Sequence, residues 1–337
     1  MIPSSGEVRT SPTDSPERWR EVGGPVGRLE PGSRNAITDV PGVRVGHAQA
    51  ASGQRTGVSV VAPPSLPAPA GVAVVNGTGE LTAKLEIDEL GVIETPVYLC
   101  GSHAVGTVVQ SAVLASGRGP DDVVLPVVGE CDDGDLADSR TVTATDVERA
   151  LAELGAGVAE GTVGAGTGMS CFGFPGGIGT ASRRVGVHQI GVLLLCNFGD
   201  RERLDLLGSQ LDPDATAGAD RGSCIAVCAT DAPMSPHQLR RLALRPLLGL
   251  ARAGSYAAQG SGEIGVAFAT SSGGSLPNHS LDAHFAAAYE AAHEAVYNCL
   301  VAARPARRLD GTMQDAFPID AVRRLARTRE SREQLRP

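Results

Sequence analysis

Short apolar runs rich in β-branched residues punctuate this chain, and segments of helical periodicity lie between them. The runs open at Val43, Val58, Gly71, Asp121, Val187, Cys224 and Glu263, and each is bounded by Gly, Pro, Asn or Asp, as strands are. Several are apolar at every position, the pattern of strands covered on both faces. Residues 81–90, 104–116, 145–156, 235–253 and 283–303 instead place apolar side chains near a period of 3.6. The fourth of these opens with Ser235 and Pro236, an N-cap followed by proline at the first helical position. Strands alternating with helices and lacking a repeat period predict a layered α/β fold. Residues 1–34, rich in Pro, Gly, Ser and charge, read as a flexible N-terminal arm ahead of one domain over 35–303, and 304–337 as an Arg-rich tail. The weakest point inside the domain is the polar stretch 208–222.

Composition removes several function classes. Hydrophobic residues make up 42% but aromatics only 3%, so the core is built from Val, Leu, Ala and Ile and offers no platform for stacking bases. A net charge of -9 repels a phosphate backbone, and the Arg cluster after Arg304 reads as a solvated helix face or frayed tail. No nucleic acid or membrane partner is expected. Seven cysteines at irregular spacing, without a CxxC pair, fit neither a zinc knuckle nor a redox motif. They sit in apolar runs, as reduced thiols do, and with no apolar leader the expected location is cytoplasmic. Seven scattered histidines without HExxH give no metal site, and no cofactor is expected. The Gly-rich stretch 161–179 lacks the GK[ST] of a phosphate loop, and the chain's one lysine, Lys84, lies elsewhere.

The segment 208–234 carries the chemistry. A polar Asp- and Gly-rich loop runs into an apolar strand, and Gly222 and Ser223 stand at the junction. One reading is a turn followed by a strand-opening serine. The other is self-cleavage: the Ser223 hydroxyl attacks the Gly222 carbonyl, and hydrolysis of the resulting ester leaves Ser223 at a new N-terminus. Glycine admits the close approach that such an attack needs. The freed α-amine, with a pKa of about 7.7–8.0, then accepts the hydroxyl proton of its own residue.

The ordered set AITDVPGVRVGH, VNGTGELT, GECDDGDL, EGTVGAGTGMSCFGFPGGIGTASR, LLLCNFG, RGSCIAVCATDAPM and GSGEIGVAFATS resembles the serine aminopeptidase group of L-aminopeptidase/D-esterases and β-peptidyl aminopeptidases, from about residue 35 to about 303. The resemblance implies an αββα sandwich of the N-terminal-nucleophile type, cleaved into chains 1–222 and 223–337 and assembled as a homotetramer of such pairs. It implies Ser223 as nucleophile, Ser261 and Glu263 as its assistants, and Asn197 as the oxyanion donor. Small peptides or amino-acid amides and esters are the implied substrates, bound with the help of Glu130, Asp132, Asn76 and Met169. One departure stands out. The family's usual aromatic is missing from residues 129–136, where Glu130, Asp132, Asp133 and Asp135 form an acidic cluster with Asp138. These carboxylates read either as a grip on a substrate ammonium or as a solvated loop. An acyl transferase of the ornithine-acetyltransferase type, a nylon-oligomer-type amidase and an inactive scaffold remain as alternatives.

Overall fold

The computed structural model describes residues 17–134, 136–211 and 222–334. Its strands are β1 (Arg44–Gln49), β2 (Gly57–Ala62), β3 (Ala68–Gly77), β4 (Val92–Ile93), β5 (Val97–Gly101), β6 (Val127–Cys131), β7 (Ser170–Cys171), β8 (Phe174–Pro175), β9 (Gly177–Val185), β10 (His188–Asn197), β11 (Ser223–Thr230), β12 (Gly262–Ala269), β13 (Ala306–Arg307) and β14 (Met313–Gln314). The helices are α1 (Trp19–Val22), α2 (Lys84–Leu90), α3 (Val105–Ala115), α4 (Ala144–Ala152), α5 (Pro236–Ala253), α6 (Leu281–Ala302) and α7 (Ile319–Gln334). Two sheets dominate: a smaller one ordered β1-β2-β5-β6 and a larger one ordered β4-β3-β12-β11-β10-β9.

Burial divides the molecule into four layers. Val45, Val61, Leu99 and Val127 of the smaller sheet meet Leu193, Leu195, Ile225 and Val266 of the larger across a shared core. Val58, Val60 and Val128 turn outward under α3 and α4, while Val192, Leu194 and Ala226 turn outward under α5 and α6. Successive side chains of β10 thus enter different cores, which is why its sequence is apolar without alternation. The chain is an α/β protein with helices on the outer faces of two packed sheets. No helix among the described residues is long and apolar enough to cross a membrane.

Four features depart from the sequence reading. β9 was hidden in a Gly-rich stretch. Its glycines serve close packing, since a Cβ on Gly179 would stand 2.0 Å from the Ala295 carbonyl oxygen of α6. The run opening at Asp121 becomes strand only from Val127, just after Pro126, which has no amide hydrogen to give to a ladder. Residues 17–34, expected within a flexible arm, are docked; residues 1–16 lie outside the described residues. Trp19 is buried against Tyr297, with ring centroids 4.2 Å apart. The Glu290 carboxylate accepts the amides of Arg28 and Leu29, and Glu294 pairs with Arg20 and the fully buried Arg183. Polar composition gave no hint of this docking, because α6 supplies the partners from far along the chain. The C-terminal tail also packs: Gln314 Nε2 donates to Ser170 Oγ at 2.6 Å, and Phe317 stacks edge-on against Phe174.

Two histidines, the buried His293 and the half-buried His47, make stability depend on acid. Tyr297 donates its hydroxyl to the Asp205 carbonyl, so the His293 ring at 2.7 Å donates to Tyr297 through Nε2–H. Burial, reinforced by Arg252, lowers the His293 pKa from 6.5 to about 4, and burial does the same to His47. The unfolded chain takes up these protons first. Stability is therefore full above pH 6.5 and is lost as pH falls toward 4, by on the order of 3 kcal/mol for His293. The melting temperature is expected to drop across that window, and less steeply in His293→Gln. A pH-independent melting temperature between 6.5 and 4 contradicts this assignment.

Candidate active site

The strand order of the larger sheet collects the residues singled out from sequence. β10 ends at Asn197 where β11 begins at Ser223, and the two residues are direct partners in an antiparallel register. β12 runs parallel to β11 with Glu263 beside Cys224, and β3 returns antiparallel so that Asn76 faces Glu263. Ser223, Asn197, Glu263 and Asn76 therefore share one end of one sheet, with Ser261 just ahead of β12. In the smaller sheet, β5 and β6 run parallel, and Gly101 and Cys131 end them side by side. The Cys131 thiol reaches the Leu195 carbonyl at 3.7 Å, so this end lies over the same corner.

Burial here is deep. Ser223 and Asn197 are each 5% exposed, Glu263 is 2% and Ser261 is 0%. The Ser261 hydroxyl donates to Glu263 Oε1, which leaves only its lone pairs for another partner. Asn197 is held from both ends: Oδ1 accepts the Ser170 amide at 2.8 Å, and Nδ2 donates to the Asp132 carbonyl at 2.7 Å. One amide hydrogen of Nδ2 remains, at a fixed orientation. The Ser223 hydroxyl is in contact with the Cys131 thiol; burial, with Cys224 and Glu130 nearby, pushes that thiol well above its ordinary pKa. Cys131 thus stays protonated and is not a reactive thiolate.

At the junction, Gly222 presses against the end of β10. A Cβ on it would lie 1.6 Å from the Asn197 carbonyl oxygen and 2.9 Å from Phe198 Cα. Only glycine permits this approach. The loop ahead of it, residues 212–221, lies outside the described residues.

The acidic stretch splits. Glu130, 7% exposed, accepts the Glu80 amide at 2.8 Å through Oε1 and the Ser102 hydroxyl through Oε2. Gly79 bridges it to the Ser261 side: a Cβ there would stand 3.2 Å from Glu130 Oε1 and 3.8 Å from Gly262 Cα. Asp133 is buried and accepts Thr56 Oγ1 at 2.7 Å, and burial raises its pKa. Asp132 and Asp138 turn outward; the Asp132 carboxylate accepts the Gly134 amide, and Arg140 holds Asp138 down to about 2. Asp135 lies outside the described residues. Asp132 meets the site through its backbone carbonyl, on Asn197. Met169 is fully buried in the core between the sheets. Sequence reasoning missed Ser102 and Cys131 as neighbours of the site. Their only signal is position, directly after β5 and at the last residue of β6.

Known proteins resemble this chain in sequence and in fold. The profile of peptidase family S58 matches residues 35–314. The β-peptidyl aminopeptidase BapA of Sphingosinicella microcystinivorans is 38% identical, with 89% of each chain covered. Among solved structures, a β-aminopeptidase from Burkholderia sp. superposes with a TM-score of 0.85 at 38% identity, covering 95% of this chain and 100% of that one. The L-aminopeptidase D-Ala-esterase/amidase of Ochrobactrum anthropi, described as a variant of the Ntn hydrolase fold, gives 0.83 at 33% identity, covering 93% and 99%.

Proposed function

The chain belongs to peptidase family S58 and is an aminopeptidase, a hydrolase of peptide bonds; from that premise we propose that it matures by cutting itself between Gly222 and Ser223 and then uses Ser223 as its nucleophile. The observation that carries this reading is the convergence of Ser223, Asn197 and the Ser261/Glu263 pair at one sheet end, fixed by strand register.

In the matured protein the Ser223 hydroxyl passes its proton to its own α-amine and attacks the carbonyl of an N-terminal aminoacyl amide or ester. The free hydrogen of Asn197 Nδ2 donates to the oxyanion that forms. The tetrahedral intermediate collapses, the leaving amine takes the proton from the Ser223 ammonium, and an ester links the acyl group to Ser223. Water, deprotonated by the same amine, releases the acid. Ser261 has committed its hydrogen to Glu263, so it acts on the α-amine only as an acceptor and orients it. Glu263 adds a negative charge beside the ammonium. The assembly expected from the family, a homotetramer of cleaved pairs, is part of this proposal, as is the division into chains 1–222 and 223–337.

Glu130 is the proposed ligand of the substrate ammonium. Two of its lone-pair sites are filled by Glu80 and Ser102, which leaves acceptor capacity for a third donor. Losing a charge-assisted bond costs about 1.5–3 kcal/mol, so Glu130→Gln is expected to raise KM by roughly 10–100-fold while kcat changes by less than about threefold. An unchanged KM contradicts the assignment. Substrate class is tested with α-amino-acid p-nitroanilides, β-amino-acid amides and acetylornithine. Hydrolysis of either of the first two supports the aminopeptidase reading. Acetyl transfer from acetylornithine alone overturns it.

A further inference from the structure

Resting on the reading of Ser223 as nucleophile, we propose that Asn76 is a positioning residue: it holds the loop that carries Ser261 and does not bind substrate. Opposite the start of β12, β3 contains an extra residue. Glu263 pairs with Asn76 but Ile264 pairs with Val74, so Val75 is bulged out. Such bulges re-aim the neighbouring side chain. Here Asn76 Nδ2 donates to the Ser261 carbonyl at 2.6 Å and the Ala258 carbonyl at 2.7 Å, with the Gln259 carbonyl at 3.4 Å.

A primary amide has two hydrogens, and these contacts use both. Three carbonyls around one nitrogen also fix which end of the amide is which. Asn76 has no donor left for a substrate carbonyl or carboxylate. The same loop is gripped again by Thr78, whose hydroxyl donates to the Gln259 carbonyl at 3.0 Å. Gly262 completes the clasp: a Cβ there would stand 2.4 Å from the Thr78 carbonyl oxygen. Ser261 itself closes the turn through its amide, on the Ala258 carbonyl at 2.8 Å. The end of β3 thus grips residues 258–262 through side chains and backbone. The Ser261 hydroxyl is aimed by this clasp on one side and by Glu263 on the other.

The consequence separates this role from substrate binding. Loosening the clasp moves Ser261 relative to the Ser223 amine but leaves Glu130 in place. Turnover then falls while substrate affinity holds. The test uses the full chain carrying Asn76→Ala, Asn76→Asp or Thr78→Ala. Kinetics are taken on an aminoacyl p-nitroanilide, per mole of processed chain, with melting temperatures alongside. Asn76→Ala and Asn76→Asp are expected to lower kcat by roughly 10–100-fold, with KM within about twofold. Thr78→Ala moves kcat the same way by less, and carries the test if the Asn76 variants do not fold. In a Ser261→Ala background, Asn76→Ala is expected to add less than about a twofold further loss, because both act through one hydroxyl. A raised KM with kcat kept, an unchanged kcat, or losses that multiply in the double variant overturn the proposal. Ser223→Ala tells the two readings apart. If that variant is inactive while Asn76→Ala is fully active, only the role of Asn76 falls. If Ser223→Ala is active, the reading beneath it falls.

Discussion

Ser223→Ala is expected to remain one unbroken polypeptide of 337 residues and to lose activity on aminoacyl amides by on the order of 10⁴-fold or more. Both effects come from a single oxygen. Without it nothing attacks the Gly222 carbonyl, so no α-amine is freed, and no acyl group can be carried. The fold survives, because the side chain removed is small and the rest of β11 (Cys224, Ile225, Ala226 and Val227) keeps its place in two cores. Electrophoresis of the purified variant checks the first effect and a p-nitroanilide assay the second. Appearance of two chains in Ser223→Ala contradicts the cleavage chemistry.

Gly222→Ala carries the second large effect. The added methyl would overlap the backbone of β10, at 1.6 Å from the Asn197 oxygen and 2.4 Å from its carbonyl carbon. These are backbone atoms within a paired strand, which cannot swing aside as the tip of a long side chain does. Instead the start of β11 must move away, taking Ser223 out of register with Asn197 and the scissile carbonyl out of line. A displacement near 1 Å costs about 100-fold in a positioned reaction, so maturation is expected to slow by at least that factor. Intact mass followed after expression reads it directly. Maturation at the wild-type rate would mean that the close contact has no part in aligning the bond.

How much of this was legible in the sequence follows from the physics of each feature. Ser223 and Asn197 stand at the borders of apolar runs, where a strand meets a turn, and such borders are visible in a linear pattern. The layered α/β class was visible for the same reason. The pairing that brings the two residues together was not, since β10 and β11 are joined through residues whose order in the chain says nothing of register. β9 escaped because its glycines answer to backbone elsewhere, Gly177 to Gly161 and Gly179 to Ala295 of α6, the latter far along the chain. The docking of residues 17–34 escaped because their partners are Glu290, Glu294 and Arg183. The acidic stretch 129–136 looked uniform in sequence. Only folding divides it, turning Glu130 and Asp133 inward and leaving Asp132 at the surface. In the linear pattern Asn76 reads as a pocket residue; its three carbonyl partners, on a loop some 180 residues away, are visible only in the fold and are the ground for proposing it as a positioning residue.

The most direct test is intact mass and N-terminal sequencing of active wild-type protein. The account predicts two chains, one ending at Gly222 and the other beginning with Ser223. Full activity in a preparation whose backbone is continuous through that bond would contradict it.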